Sequence, residues 1–195
     1  MPAVAYGRII LSASILKWYD LRFETREIAV IVVFSALGAV MSVPVGYLGN
    51  YLKTFPAIPL GTGQILAGVH VFPVALAMML VRRRGAAAAT ATVKGLVEAI
   101  LFSFHGFSVI IMSGVQGLVL DAAATVFGYD SRTGLCIGCG LSAASNVAYL
   151  QFFLRLGFPL EVFTLMYVLA FVSGAVFGGY LGDKMHRMVQ KRVKV

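Results

Sequence analysis

Six side chains that can ionise or form several hydrogen bonds lie inside long apolar runs of the sequence. They are His70, Lys94, Glu98, Gln116, Asp121 and Asn146. An ionisable group that faces lipid is costly, so each is expected to face protein or a polar cavity. A carboxylate and side-chain amides can hydrogen-bond the edge of a planar heterocycle. Glu98, Gln116 and Asn146 are therefore candidate ligands for a small molecule.

Lys94 has two candidate acidic partners. Glu98 lies four residues further on, on the same face of a helix, whereas Asp121 belongs to a later apolar run. We expect a structural ion pair between Lys94 and Asp121 that joins two helices. This pairing leaves Glu98 available for a ligand.

The composition indicates an all-α integral membrane protein. Of the 195 residues, 59% are hydrophobic and 12% are charged, and the mean hydropathy is +0.89. Soluble domains have roughly 45–50% apolar and about 25% charged residues, so a soluble globule and a disordered chain are both excluded. The net charge of +8 comes from basic clusters between apolar runs, a placement that argues against nucleic-acid binding. We expect one membrane domain over residues 1–195.

Six stretches approach the roughly 20 apolar residues that a membrane-spanning helix needs. They are Ile28–Leu48, Gln64–Val81, Ala86–Phe104, Ser108–Phe127, Leu135–Leu156 and Val162–Leu181. The sequence thus predicts a six-transmembrane-helix bundle over residues 26–183. A short interfacial helix over residues 6–19 is expected before it, and a basic cytoplasmic tail over residues 184–195 after it.

The basic residues predict the orientation of these spans. With the N-terminus in the cytoplasm, thirteen lysines and arginines lie on the inner side and only Lys53 and Arg155 on the outer side. Cytoplasmic loops are enriched in these residues. We therefore expect both termini in the cytoplasm and a location in the plasma membrane.

Helix rise gives the depth of each polar residue in this arrangement. Glu98 and Asn146 lie roughly 18 and 16 Å from the inner face, and Gln116 and His70 roughly 12 and 9 Å from the outer face. These depths predict a pocket that opens to the outside. His70 is also open to a simpler interpretation, in which its ring is satisfied within the bundle.

The sequence carries no motif for catalysis or for its own energy supply. It contains no phosphate-binding loop, no zinc-protease motif and no nucleophile elbow. Cys136 and Cys139 are interpreted as packing residues, and no cofactor or metal is expected. Two alternatives remain: a membrane enzyme that uses Glu98, His70 and Asp121, and a small channel or structural subunit.

Two stretches make the chain similar to a known family. The length and six spans resemble the substrate-binding S component of energy-coupling factor (ECF) vitamin transporters. The run from Val81 (Val-Arg-Arg-Arg-Gly-Ala-Ala) with Gly95-Leu-Val-Glu, and the run Ser-Gly-Val-Gln-Gly-Leu-Val-Leu-Asp-Ala-Ala from Ser113, resemble YkoE-type components linked to thiamine and its hydroxymethylpyrimidine precursor. The likeness spans residues 26–185.

The resemblance implies a binding function and several partners. An S component binds a vitamin from outside, and a membrane coupling protein (the T component) with two cytoplasmic ATPases drives its uptake. Small residues of the first span meet the coupling protein, which points to Ser35, Ala36 and Ala39; packing within the chain is the alternative.

An aminopyrimidine would use Glu98 with help from Gln116 and Asn146. Tyr149, Phe152 or Tyr51 would stack on its ring, and His70 would line the pocket. A different vitamin or small molecule is the alternative substrate.

Overall fold

The computed structural model describes residues 22–52, 62–101, 106–153, 155 and 157–193. The expected interfacial helix over residues 6–19 lies outside the described residues, as do positions 53–61 of the outer loop. All regular structure in the described ranges is helical, which confirms the all-α expectation for them.

Seven α-helices, one 3₁₀ helix and one π-helical segment make up the described chain. They are α1 (Thr25–Leu52), the 3₁₀ helix Thr62–Leu66, α2 (Ala67–Val81), α3 (Ala86–Ile100), α4 (Ser108–Phe127), α5 (Arg132–Phe152), α6 (Leu160–Ser173), the π-helical segment Gly174–Leu181 and α7 (Gly182–Val193). The last three follow one another without a break. Most of the expected tail over residues 184–195 is therefore helical.

Five helices of the described ranges are long and apolar enough to cross a membrane. These are Thr25–Tyr51, Gly63–Val81, Ser108–Phe127, Arg132–Phe152 and Leu160–Arg192. The one expected span that is not among these five, Ala86–Phe104, corresponds to α3, which has 15 described helical residues. The chain is thus a multi-pass membrane protein, with five candidate spans among the described residues.

The second span forms the centre of the bundle. Helix α2 is more buried than the other four candidate spans and packs against α1, α3, α5, α6 and α7. Its core residues include Ala75, Ala77 and Met78, which are almost completely buried. By contrast, α1 exposes apolar side chains such as Val33 and Val40, as expected of a helix that faces lipid.

The turns over residues 82–85 and 128–131 meet the start of α1 at one end of the bundle, which we call the basic end. Arg83 pairs with Glu27 at 2.9 Å, and Arg82 pairs with Asp130. Arg82 adopts a left-handed backbone with φ of 55° and closes α2 by donating its N–H to Met78. The arginine run therefore forms a tight turn whose side chains tie α1, α2 and the turn after α4 together.

Candidate functional site

Lys94 and Glu98 form an ion pair inside the bundle. The Lys94 Nζ lies 2.7 Å from the Glu98 Oε2, and both side chains are buried. The lysine stem runs along α1 at Gly38, where an added Cβ would lie 3.0 Å from Lys94 Cδ. The expected pair between Lys94 and Asp121 is not what forms, because the carboxylate one turn along α3 satisfies the ammonium.

Asp121 instead stabilises the start of α3. Its two carboxylate oxygens accept hydrogen bonds from the backbone N–H groups of Ala87 at 3.3 Å and Ala88 at 2.8 Å. The residue before the helix is Gly85, which has no side chain to cap these donors. A carboxylate is favourable there because the first N–H groups of a helix are unpaired and carry partial positive charge.

The charge of Asp121 also acts on the turn that follows α4. Burial of the Tyr129 phenol, and secondly the negative charge of Asp121, raise the pKa of Tyr129 above its ordinary value. The phenol is therefore neutral at physiological pH. Its oxygen is buried and has no hydrogen-bond partner within the described ranges.

Contacts between α4 and α5 determine the positions of Gln116, Asn146 and Tyr149 along the bundle axis. The Ser142 hydroxyl donates to the backbone oxygen of Gln116 at 2.9 Å. Because α4 and α5 are antiparallel, Asn146 lies one turn further from the basic end than Ser142. Tyr149 follows on the same face of α5 and packs in a small apolar cluster with Met112.

Helix α3 brings Glu98 to the same part of the bundle. Gly95 lies against α4, where an added Cβ would be 3.0 Å from the Cβ of Ser113. Four residues further on, Ala99 packs against the cluster that contains Tyr149. Glu98 is adjacent to Ala99 in the sequence. The structure thus places Glu98, Asn146 and Tyr149 at similar levels along the bundle axis, within about two turns, with Gln116 one turn closer to the basic end.

Three of these residues keep hydrogen-bonding capacity that the described chain does not use. The Asn146 Oδ1 is buried and has no partner in the described residues. Lys94 occupies only the Oε2 of Glu98, and the hydrogen bond between Ser142 and Gln116 uses the backbone oxygen of Gln116. A buried polar atom without a partner costs about 1–3 kcal/mol. Such an atom on α5 is therefore a candidate contact for a polar ligand.

His70 and Tyr51 occupy other positions. The His70 Nδ1 lies 2.9 Å from the Ser42 hydroxyl, which also donates to the backbone oxygen of Gly38. The histidine thus bridges α2 and α1, in agreement with the interpretation that its ring is satisfied within the bundle. Tyr51 lies at the end of α1 and is 60% exposed.

The small residues of α1 divide between two faces. The fully buried Ser35 hydroxyl shares its one proton between the backbone oxygens of Ile31 at 2.7 Å and Thr90 at 2.8 Å. Ala39 is also fully buried, whereas Ala36 is exposed. Of the three residues expected to meet a coupling protein, Ser35 and Ala39 pack within the chain and only Ala36 reaches the surface.

The described residues offer no ready metal site. No group of three or more His, Cys, Asp or Glu side chains that could hold a metal ion occurs among them. His70 is engaged with Ser42, and Glu98 with Lys94. A polar organic ligand is the chemistry that the remaining amides and carboxylate oxygen suit best.

Comparison with known proteins identifies the family. A family model described as the permease component of ABC-type cobalt transport systems matches residues 26–149. The chain belongs to this family. The matched range runs from α1 to α5 and contains every polar candidate residue named above. The chain is therefore a transport protein rather than an enzyme.

A solved structure shares the fold of this permease-family chain. The crystal structure of an S component of an ECF transporter matches with a TM-score of 0.76 and 24% sequence identity, over 86% of each chain. No curated protein gives a significant sequence match.

Of the small hydroxyl residues of the interior, sequence reasoning singled out only Ser35. Ser35, Ser42, Thr90, Ser142 and Ser173 are buried, and each donates to a backbone carbonyl. The other four escaped notice because a serine or threonine in an apolar run costs little by itself. The seven-residue spacing of Ser35 and Ser42, which places both on one face of α1, was the available signal.

Proposed function

We propose that the chain is the substrate-binding S component of an ECF-type transporter. It binds a small vitamin within the half of the bundle that lies away from the basic end. Membership of the permease family and the fold shared with an ECF S component support this function. The observation that carries it is the buried Asn146 Oδ1, which lacks a partner among the described residues.

The substrate that we propose is thiamine or its hydroxymethylpyrimidine precursor. An aminopyrimidine presents a ring nitrogen that accepts and an amine that donates, and a side-chain amide offers the reverse pattern. Asn146 and Gln116 supply such amides, and the Glu98 Oε1 supplies a further acceptor. Tyr149 stacks on Phe153 with ring centroids 5.0 Å apart, which extends the aromatic surface beside these groups.

Cobalt is the alternative cargo, because the family description names it. A cobalt site would need several nitrogen or oxygen ligands at one point. The described residues contain no cluster of that kind, so the organic substrate is the better supported of the two.

Uptake then depends on partners. A membrane coupling protein, the T component, and two cytoplasmic ATPases would supply the energy, since the sequence has no phosphate-binding loop of its own. The coupling protein would contact the exposed face of α1, where Ala36 lies among the apolar side chains of Val32, Val33 and Val40. In this arrangement α3 also crosses the membrane, which brings the number of spans to six, and the basic end faces the cytoplasm.

The test is to identify the molecule that the purified protein retains. Protein extracted in detergent would be denatured and the released ligand identified by mass spectrometry. Calorimetric titrations with thiamine, hydroxymethylpyrimidine and cobalt chloride would follow. We expect a pyrimidine compound to be retained, and its affinity to fall about ten-fold or more in Asn146→Leu, the equivalent of one lost hydrogen bond. Retention of cobalt, with no pyrimidine bound, would overturn the substrate assignment.

A further inference from the structure

A second polar site lies at the basic end, far from Glu98. A cleft of about 550 Å³ opens between the start of α5, the end of the π-helical segment and α7. The charged and aromatic residues that line it are Arg132, Tyr180, Asp183, Lys184, Arg187 and Lys191. Its volume is within the range of roughly 300–1,000 Å³ typical of small-molecule sites.

Contacts within the cleft hold its arginines in place. Both oxygens of Asp183 accept from the Arg187 Nε at 2.9 Å, and one of them lies 3.6 Å from the Arg132 Nε. The Arg132 guanidinium also stacks over the Tyr180 ring at 4.5 Å. Two guanidinium groups thus share one carboxylate and are oriented before any ligand arrives.

The charge of the cleft is not balanced by its own residues. Four cations face the single carboxylate of Asp183, and neither Lys184 nor Lys191 forms an ion pair with the described part of the chain. The lining therefore carries three positive charges in excess. A cleft of this kind attracts an anion with several oxygens, because guanidinium and ammonium groups both bind phosphate.

The position of α7 indicates where that anion comes from. This helix continues directly from a segment long enough to span the membrane, so the cleft lies where the hydrocarbon gives way to headgroups. Met188 also lines the cleft, and Met185 and Val189 are exposed beside it. Basic and apolar side chains side by side on one helix are typical of contact with an anionic membrane surface.

We propose that this cleft binds the headgroup of an anionic phospholipid. Lys184 and Lys191 contact the phosphate oxygens, with Arg132 and Arg187 held behind them by Asp183. The apolar surface of Met188 lies along the glycerol and the start of an acyl chain. An acidic protein segment has the charge but would leave this apolar surface uncovered, so the lipid fits better.

Native mass spectrometry of the delipidated full-length protein tests the proposal. The protein would be titrated separately with phosphatidylglycerol, phosphatidylcholine, inorganic phosphate and a glutamate-rich peptide. We expect phosphatidylglycerol to bind most tightly. In the double variant K184Q/K191Q its affinity should fall about thirty-fold, since each basic residue at an anionic surface contributes roughly a factor of five.

A matched control separates the cleft from general surface charge. The double variant R26Q/R192Q removes the same charge from two exposed positions that do not line the cleft, and its lipid affinity should be nearly unchanged. An equal loss in both double variants would overturn the proposal. So would binding of phosphatidylcholine as tight as that of phosphatidylglycerol, or tighter binding of phosphate or the peptide.

Discussion

The ammonium of Lys94 lies 2.7 Å from the carboxylate of Glu98, one turn along α3, and the two side chains are only 3% and 11% exposed. The lysine is bonded to one oxygen of the glutamate and leaves the other for a further donor. A single carboxylate therefore neutralises a buried cation and remains able to hold a ligand. Neutralising Lys94 contributes to folding stability, whereas holding a ligand contributes to affinity. Measurements of both quantities therefore separate the two roles.

Substituting Glu98 alone should affect both properties. The change Glu98→Gln strands the ammonium of Lys94, and breaking a buried ion pair in this way costs about 3–5 kcal/mol of folding stability. Ligand affinity should fall by roughly ten- to a hundred-fold through loss of a hydrogen bond to a charged group. Thermal unfolding in detergent and calorimetric titration measure the two effects.

The double variant Lys94→Met with Glu98→Gln is the control, because it removes the stranded charge. It should recover most of the stability, since an apolar replacement of a buried ion pair is often neutral, while affinity stays low. If the double variant binds its ligand normally, Glu98 serves only to neutralise Lys94.

Replacing Asn146 should weaken ligand binding without lowering the stability of the fold. Its Oδ1 is buried without a partner in the described residues, so Asn146→Leu removes an unsatisfied acceptor. Stability should be unchanged or raised by about 1 kcal/mol, while ligand affinity falls. Ser142→Ala, one turn away, is the comparison, because it removes a hydrogen bond to Gln116 and should lower the melting temperature. A loss of stability in Asn146→Leu with normal affinity would contradict the site.

Asp121 should act through the helix that it caps. Asp121→Ala leaves the N–H groups of Ala87 and Ala88 without an acceptor, and loss of a cap costs about 0.5–2 kcal/mol. Asp121→Asn keeps an acceptor oxygen and should retain most of the stability. Thermal unfolding distinguishes the two variants. Equal stability of Asp121→Ala and the unchanged protein would show that the cap contributes nothing.

Orientation in the membrane can be tested with single cysteines. In a background with Cys136 and Cys139 replaced by alanine, a cysteine at exposed Tyr51 should react with an impermeant thiol reagent added to intact cells. A cysteine at exposed Arg84 should react only after the membrane is opened. We expect this pattern because the basic end of the bundle should face the cytoplasm. The reverse pattern of labelling would show that the proposed pocket lies in the cytoplasmic half of the bundle, which would contradict the proposed orientation.

The contact between α5 and the π-helical segment depends on Gly174. An added Cβ there would lie 2.3 Å from the carbonyl oxygen of Cys139, so Gly174→Ala should lower stability by about 1–3 kcal/mol through overpacking. Gly49 in α1 has no neighbouring atom within 4 Å of an added Cβ. Gly49→Ala is therefore the matched control, and it should be neutral or slightly stabilising. Melting temperatures measured side by side decide whether the contact is as tight as described.

Apolar runs predicted most of the fold because lipid demands long helices whose backbone is satisfied internally. Ser108–Phe127 begins and ends where its hydropathy indicates. The later helices differ at their ends: α5 begins at Arg132 rather than Leu135, and α7 continues the last span through polar residues up to Val193. Helical hydrogen bonding continues past the apolar stretch, so hydropathy alone does not predict such ends.

Pairing between side chains was harder to predict than their burial. The burial of Lys94, Glu98, Gln116 and Asp121 follows from the cost of facing lipid and agrees with the structure. Which carboxylate pairs with Lys94 depends on helix rotation and on the uncapped start of α3, and a single sequence specifies neither. The cleft around Asp183 was missed for a similar reason, since it joins Arg132 to residues about fifty positions later.

The hydrogen bonds made by the buried hydroxyls limit which groups of the interior can contact an incoming solute. Ser35, Ser42, Thr90, Ser142 and Ser173 have all given their protons to backbone carbonyls, and the charge of Lys94 is neutralised by Glu98. Within the described chain, what these residues leave to offer is side-chain amides, one oxygen of Glu98 and the remaining N–H donors of Lys94. We therefore expect selection among solutes to depend on their pattern of hydrogen-bond donors and acceptors, as for the proposed pyrimidine.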